Sequence, residues 1–205
     1  MNIALWRDRI PYQGILLAFA SFITSAALVL ANEATREPIT QAAQDDLKQS
    51  LVQVLPPGCV DNDLLADARV IKAASGRVVT VYRGTKAGVF SAAVFEFSAR
   101  GYAGEIAVLI GVDAAGVVSG VRVLRHAETP GLGDKIDAAK SGWINSFTNK
   151  SLAGMPVARW AVKKDGGEFD QFAGATITPR AVVKAVREGL QFYDAHRAEI
   201  SGDAR

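Results

Sequence analysis

The sequence is poor in the residues that bind metals and form disulfides. Its 205 residues include one cysteine, Cys59, and two histidines, His126 and His196. One cysteine allows no internal disulfide, and without a Cys-x-x-Cys pair, zinc–thiolate, iron–sulfur and c-type haem sites are excluded. The histidines are far apart and form no His-x-x-x-His pattern, so no metal site is predicted. Redox or group-transfer chemistry would therefore need an organic cofactor.

Charge is also scarce and nearly balanced. Charged residues make up 21% of the sequence, and the net charge is +2. This balance argues against long disordered tails and against a nucleic-acid-binding protein, in which a concentrated basic face is expected. A hydrolase is disfavoured as well, because there is no Gly-x-Ser-x-Gly motif and neither histidine has an evident nucleophile partner.

One long apolar run is present near the N-terminus. Gly14–Ala31 contains no charged residue, and as a helix it would span about 27 Å, close to the hydrocarbon thickness of a bilayer. Trp6 and Tyr12 precede it, where interfacial aromatic residues are expected. We predict a membrane anchor. A cleaved signal peptide ending near Ala31 is the alternative.

The charges around this run predict its orientation. Arg7 and Arg9 precede it, whereas acidic residues dominate the following segment: Glu33, Glu37, Asp45 and Asp46. The positive-inside rule then places residues 1–13 in the cytoplasm and the body of the chain on the other side of the membrane. A cleaved signal peptide would leave the body on that same side.

The remaining sequence predicts an α+β domain after a short linker. Thr40–Val54 has one apolar helical face and is followed by Pro56-Pro57-Gly58, so a linker helix is expected within residues 32–67. Further helices are predicted at Lys135–Phe147 and Pro179–His196, the latter with Thr178 as N-cap. Short β-rich segments separated by turns predict a mainly antiparallel sheet in a domain spanning 68–198: 69–72, 77–82, 89–97, 106–110, 117–124 and 157–162.

Two glycine-containing loops stand out within this domain. In the first, Pro130-Gly131 fits the centre of a type II turn, and Leu132 lies between two glycines, which lets a flat ligand approach closely. In the second, Gly174 and Ala175 remove bulk just before Thr176, near the start of the last helix. A phosphate there would face free backbone N–H groups and the positive end of the helix dipole.

The second loop carries a family resemblance. Asp170-x-x-Ala173-Gly174-Ala175-Thr176 resembles the Asp-x-x-Ser/Thr-Gly-Ala-Thr flavinylation motif of FMN-binding domains, with alanine at the position usually held by a hydroxyl residue. Residues 101–104 and 128–133 also resemble this family. Together with the anchor, the chain resembles the G subunits of Rnf-type electron-transport complexes, a family related to the C subunit of the sodium-pumping NADH:quinone reductase.

The resemblance implies a cofactor, a site and partners. A flavin transferase would join FMN through its phosphate to Thr176. Asp170 would belong to the attachment motif. The resemblance implies no catalytic and no metal-binding residue. Tyr102 would face Leu132 across the isoalloxazine ring, and His126 would either donate to the flavin or cap a strand end. The implied cofactor-binding residues are Tyr102, Glu128, Thr129, Gly131, Leu132, Gly174, Ala175, Thr176 and Thr178.

The same resemblance implies electron transfer within a redox-driven ion-translocating complex of the bacterial inner membrane. The expected partners are other membrane subunits of an Rnf-type complex and membrane lipid, and the domain would be periplasmic. The alternative is an anchored module without redox function, whose glycine loops bind a partner or a loosely held ligand. Covalently bound flavin would distinguish the two hypotheses.

Overall fold

The computed structural model describes residues 10–73 and 76–202. The predicted cytoplasmic flank lies mostly outside that range, including Trp6, Arg7 and Arg9. The chain divides into two compact units, the first ending at Leu47 and the second beginning at Lys48. All the residues predicted to form the cofactor site belong to the second unit.

The first long helix, α1, runs from Ile10 to Gln53. It contains an 18-residue window with a mean hydropathy of 2.2 that is not buried against other described residues, so the helix is long and apolar enough to cross a membrane. The predicted anchor and linker helix are thus parts of one helix. Residues 32–39 join them because they include good helix formers, and Pro38 is accommodated within the helix.

Five antiparallel strands form the sheet of the second unit in sequential order. Each strand coincides with one of the predicted β-rich segments. The strands are connected by short turns, as expected for consecutive antiparallel pairs. This confirms the predicted α+β class with a mainly antiparallel sheet. The strands are β1 (Ala68–Lys72), β2 (Val78–Lys86), β3 (Val89–Arg100), β4 (Glu105–Asp113) and β5 (Val118–Arg125).

The last helix, α2, spans Ile177–Ser201 and packs on one face of the sheet, mainly against β3 and β4. Aromatic residues fill this contact: Phe95 meets Phe192 edge to face and stacks on Tyr193. The Tyr193 hydroxyl donates to the carbonyl of Asp113 over 3.1 Å, and burial raises the pKa of Tyr193 to about 12. The core therefore fixes the position of α2 and of its N-terminus.

The opposite face of the sheet is covered by the segment after Lys48. Alternate residues of a strand point to opposite faces, so Gly111 faces away from α2, which touches Ile110. Gly111 pairs with Gly120 across the strands, and the backbone of Val54 lies directly over both. The absence of side chains at this pair lets the buried end of α1 and its following residues approach the sheet closely.

Three local predictions were wrong. The predicted helix over residues 135–147 is replaced by two 3₁₀ helices, 134–136 and 142–147, because the Ser141 hydroxyl accepts the Trp143 N–H and starts a new turn. Residues 157–162 form no strand: Val157–Arg159 is a short 3₁₀ helix, and Val162 makes only an isolated β-bridge with Phe169. The last helix begins at Ile177, with Thr176 at the N-cap position that was predicted for Thr178.

Gly111→Ala is expected to destabilise the second unit. An added Cβ would lie 2.4 Å from the Val54 carbonyl oxygen, and relief requires a backbone shift, so the free energy of unfolding should fall by roughly 1–3 kcal/mol. Gly104→Ala is the matched control, because its Cβ would be 3.7 Å from the nearest atom. Chemical unfolding of the full chain in detergent measures both variants, and equal stabilities would contradict the close approach.

Candidate functional site

A surface pocket of about 520 Å³ lies where four segments of the second unit meet. The segments are the turn between β3 and β4, the loop after β5, the loop before α2 and the first turn of α2. This volume falls within the roughly 300–1,000 Å³ typical of small-molecule sites. The lining residues are Tyr102, Glu128, Thr129, Leu132, Gly133, Gly174, Ala175, Thr176, Ile177 and Thr178.

A larger cavity of about 820 Å³ lies at the other end of α2. Its two arginines are already engaged, since Arg83 donates to the Ser201 carbonyl and Arg197 donates to the Ala114 carbonyl. None of the sequence-predicted site residues lines it. The smaller pocket is therefore the candidate functional site.

The loop before α2 forms a tight turn that presents Thr176. The Ala175 N–H donates to the Phe172 carbonyl over 3.2 Å, and Gly174 has φ of +81°, a conformation that glycine adopts without strain. A Cβ on Gly174 would lie 3.6 Å from a methyl group of Leu132. The two glycine-containing loops predicted from sequence thus lie side by side.

The loop after β5 carries the predicted turn. The Leu132 and Gly133 N–H groups donate to the Thr129 carbonyl over 3.2 and 3.1 Å, and Gly131 has φ of +79°. This positive φ agrees with the type II turn predicted from Pro130-Gly131. Leu132 is 46% exposed and Tyr102 is 72% exposed, so the pocket has an aliphatic and an aromatic side chain free to contact a ligand.

Glu128 connects three of the four segments. Its side chain belongs to a residue that is only 4% exposed. One carboxylate oxygen accepts the N–H of Ala103 over 3.0 Å, and the other accepts the hydroxyl of Thr178. Gly101 and Gly133 make room for it, since a Cβ on either residue would approach Glu128 within 3 Å. The carboxylate thereby joins the Tyr102 turn to the start of α2.

His126 has a structural role in this arrangement. Its Nδ1 accepts the backbone N–H of Glu128 over 3.1 Å, and its Nε2 lies 3.0 Å from Asp137 Oδ2. Because a backbone N–H only donates, Nδ1 carries no proton, and Nε2–H donates to Asp137. His126 is not among the residues that line the pocket, so its position fits the second expectation, stabilisation of the strand end.

The motif residue Asp170 also lies outside the pocket lining, as does Gly131. Asp170 Oδ1 is 2.6 Å from Lys163 Nζ, and this hydrogen bond raises the pKa of Lys163. The Asp170 carbonyl accepts the Trp143 indole N–H over 2.8 Å. Asp170 therefore stabilises the loop through its contacts with Lys163 and Trp143. Its side chain is 70% exposed and is accessible to another protein.

The cofactor-binding residues expected from the sequence omit two residues that line the pocket, Gly133 and Ile177, although Gly133 is recognised from the sequence as part of the first glycine loop. Ile177 is 47% exposed although it is a large apolar residue, and its position between two threonines at a helix start was the available signal. The hydrogen bonds of Glu128 had no sequence signal, because its partners are 25 and 50 residues away in the chain.

The fold and the site define a recognisable class of protein: residues 101–191 match the FMN-binding domain family. The chain is 47% identical over 195 residues to the G subunit of the ion-translocating oxidoreductase complex of Cereibacter sphaeroides, covering 95% of this chain and 89% of that relative. The corresponding subunit of Stutzerimonas stutzeri is 47% identical over 190 residues, covering 93% and 83%. The chain belongs to the family of G subunits of ion-translocating oxidoreductase complexes, which confirms the resemblance.

Among solved structures, the chain is similar to the C subunit of the Na⁺-translocating NADH-quinone reductase of Parabacteroides distasonis. The two are 27% identical with a TM-score of 0.49, and the similarity covers 67% of this chain and 71% of that chain.

The described residues fit FMN in three respects. Thr176 lies at the N-terminus of α2, its hydroxyl forms no cap hydrogen bond, and the first turn of a helix offers free N–H groups to a phosphate. Gly133 and Gly174 leave room beside it. Tyr102 and Leu132 offer the flat aromatic and aliphatic surfaces that suit a planar ring system.

Glu128→Ala is expected to destabilise the domain, because it leaves the Ala103 N–H and the buried Thr178 hydroxyl without their acceptor. The free energy of unfolding should fall by roughly 1–3 kcal/mol. Glu105→Ala is the control, since Glu105 is an exposed glutamate that accepts the Ser98 hydroxyl over 2.5 Å. Chemical unfolding of both variants measures the difference, and similar losses would contradict the connecting role of Glu128.

Proposed function

We propose that this chain is the flavin-carrying electron-transfer subunit of a redox-driven ion-translocating oxidoreductase complex, with FMN joined to Thr176 by a phosphoester bond. Its family and its FMN-binding domain support the flavin and the complex. The difference in accessibility between Thr176 and Thr178 is the observation that supports Thr176 as the attachment site.

Thr176 and Thr178 are two residues apart but differ in accessibility. Thr178 is 1% exposed, and its hydroxyl donates to Glu128. Thr176 lines the pocket, is partly exposed and has a hydroxyl without a cap hydrogen bond. A transferase could therefore reach the Thr176 oxygen, which would replace the leaving group on the phosphorus of an activated flavin nucleotide while its proton is removed.

The start of α2 provides a favourable place for the resulting phosphodiester. The helix dipole and the unpaired N–H groups of the first turn stabilise negative charge there. Arg180, in the same turn, is held by Asp165, with both guanidinium contacts at 2.6 Å. Backbone N–H groups rather than a free basic side chain would then hold the phosphate in this protein.

The ring would occupy the pocket between Tyr102 and Leu132. We propose Glu128, Thr129, Gly131, Gly174, Ala175 and Thr178 as the residues around it. When bound, FMN supplies the capacity to exchange one or two electrons, and the protein positions and tethers it. Electron donor and acceptor would be other membrane subunits of the complex.

The membrane anchor would keep the flavin close to those subunits. We propose residues 1–13 as cytoplasmic, 14–31 as the transmembrane anchor, 32–67 as the linker and 68–198 as the periplasmic FMN-binding domain. The long apolar helix α1 supports anchoring, and the charges on either side of the apolar run support the orientation. Membrane lipid and a periplasmic flavin transferase are the further partners in this proposal.

Thr176→Val is expected to abolish covalent flavin. The full chain would be co-expressed with a flavin transferase and examined for flavin fluorescence in the denatured gel band. The wild-type and Thr178→Val bands should fluoresce and the Thr176→Val band should be dark, since Thr176 is the accessible one of these two threonines. A dark wild-type band beside a fluorescent control substrate, or a dark band for Thr178→Val alone, would contradict the proposed attachment.

The orientation predicts which cysteines are accessible from outside the cell. In a Cys59→Ser background, Lys184→Cys on the exposed surface of α2 should react with a membrane-impermeant maleimide once the outer membrane is permeabilised. Asn2→Cys should react only after the inner membrane is opened as well. Reaction of Asn2→Cys before Lys184→Cys would overturn the orientation.

A further inference from the structure

We propose that the negative charge of Glu128 lowers the reduction potential of the flavin held in this pocket. The inference rests on the proposed function, because it requires FMN at Thr176. It goes beyond that function by assigning one side chain the control of how readily the flavin accepts electrons.

The hydrogen bonds of Glu128 are those that a carboxylate makes as an acceptor. Both of its carboxylate oxygens accept hydrogen bonds, from the Ala103 N–H and from the Thr178 hydroxyl. An ionised carboxylate acts only as an acceptor, so this arrangement needs no proton on Glu128. The adjacent N-terminus of α2 adds a favourable partial positive charge.

No basic side chain neutralises this carboxylate within the described parts of the chain. The ion pairs among residues 10–73 and 76–202 do not include Glu128, and His126 accepts the Glu128 N–H through an unprotonated Nδ1. The residue is 4% exposed, so water screens the charge poorly. An unneutralised buried charge that lines the pocket opposes the arrival of an electron there.

Replacement by glutamine separates the charge from the geometry. In Glu128→Gln, the amide oxygen can accept the Ala103 N–H, and the amide nitrogen can donate to the Thr178 oxygen. Both connections of the pocket are thereby retained while one negative charge is removed. Glu105→Gln removes the same charge from an exposed glutamate outside the pocket lining, at the start of β4, and is the matched control.

The test is the midpoint potential of the covalently bound flavin in the full chain, measured by spectroelectrochemistry in detergent. Glu128→Gln should shift the equilibrium toward reduction on the order of tenfold, which is about +30 mV for a two-electron couple. Glu105→Gln should match the wild type. Partial flavin loading does not affect the result, because the potential is read only from bound flavin.

The outcomes separate this inference from the proposed function. A dark denatured wild-type band would overturn the attachment at Thr176 and with it the inference. A fluorescent Glu128→Gln band with a wild-type potential would overturn only the role of Glu128. A shift of the same size in Glu105→Gln would also overturn it, because the effect would then reflect overall charge.

Discussion

The site depends on one buried carboxylate. Glu128 accepts a hydrogen bond from the Tyr102 turn, at Ala103, and another from the start of α2, at Thr178. Both elements pack against the sheet and its core, and the Glu128 carboxylate joins them across the pocket. The two ligand-facing surfaces, one aromatic and one at a helix N-terminus, therefore keep a defined separation. A rigid spacing of this kind suits a cofactor that is attached at one end.

The different environments of the Thr176 and Thr178 hydroxyls follow from this contact. Because Thr178 donates to Glu128, its hydroxyl is withdrawn from the surface. Thr176, two residues earlier, keeps a hydroxyl that faces the pocket. In the proposed function, a single helix start provides one threonine for the interior of the site and one for modification, and the positive end of the helix lies beside both.

Local sequence patterns predicted the strands, the glycine turns and the long helices, because periodicity and turn chemistry act over a few residues. The predicted helix over residues 135–147 does not form, because Ser141 is the N-cap of a separate 3₁₀ helix that begins at Gly142. Residues 157–162 do not form the predicted strand because the N–H groups of Arg159 and Trp160 donate to the carbonyls three residues earlier, which closes a 3₁₀ turn. The contacts of Glu128 join distant segments, and no local pattern reports them.

The most direct test of the account is mass spectrometry of the tryptic peptide 165–180 from the protein matured with a flavin transferase. Its only hydroxyl side chains are Thr176 and Thr178. Attachment at Thr176 predicts a mass increase equal to FMN less one water, with fragment ions that locate the group on Thr176. An unmodified peptide from flavin-containing protein, or fragments that locate the group on Thr178, would contradict it.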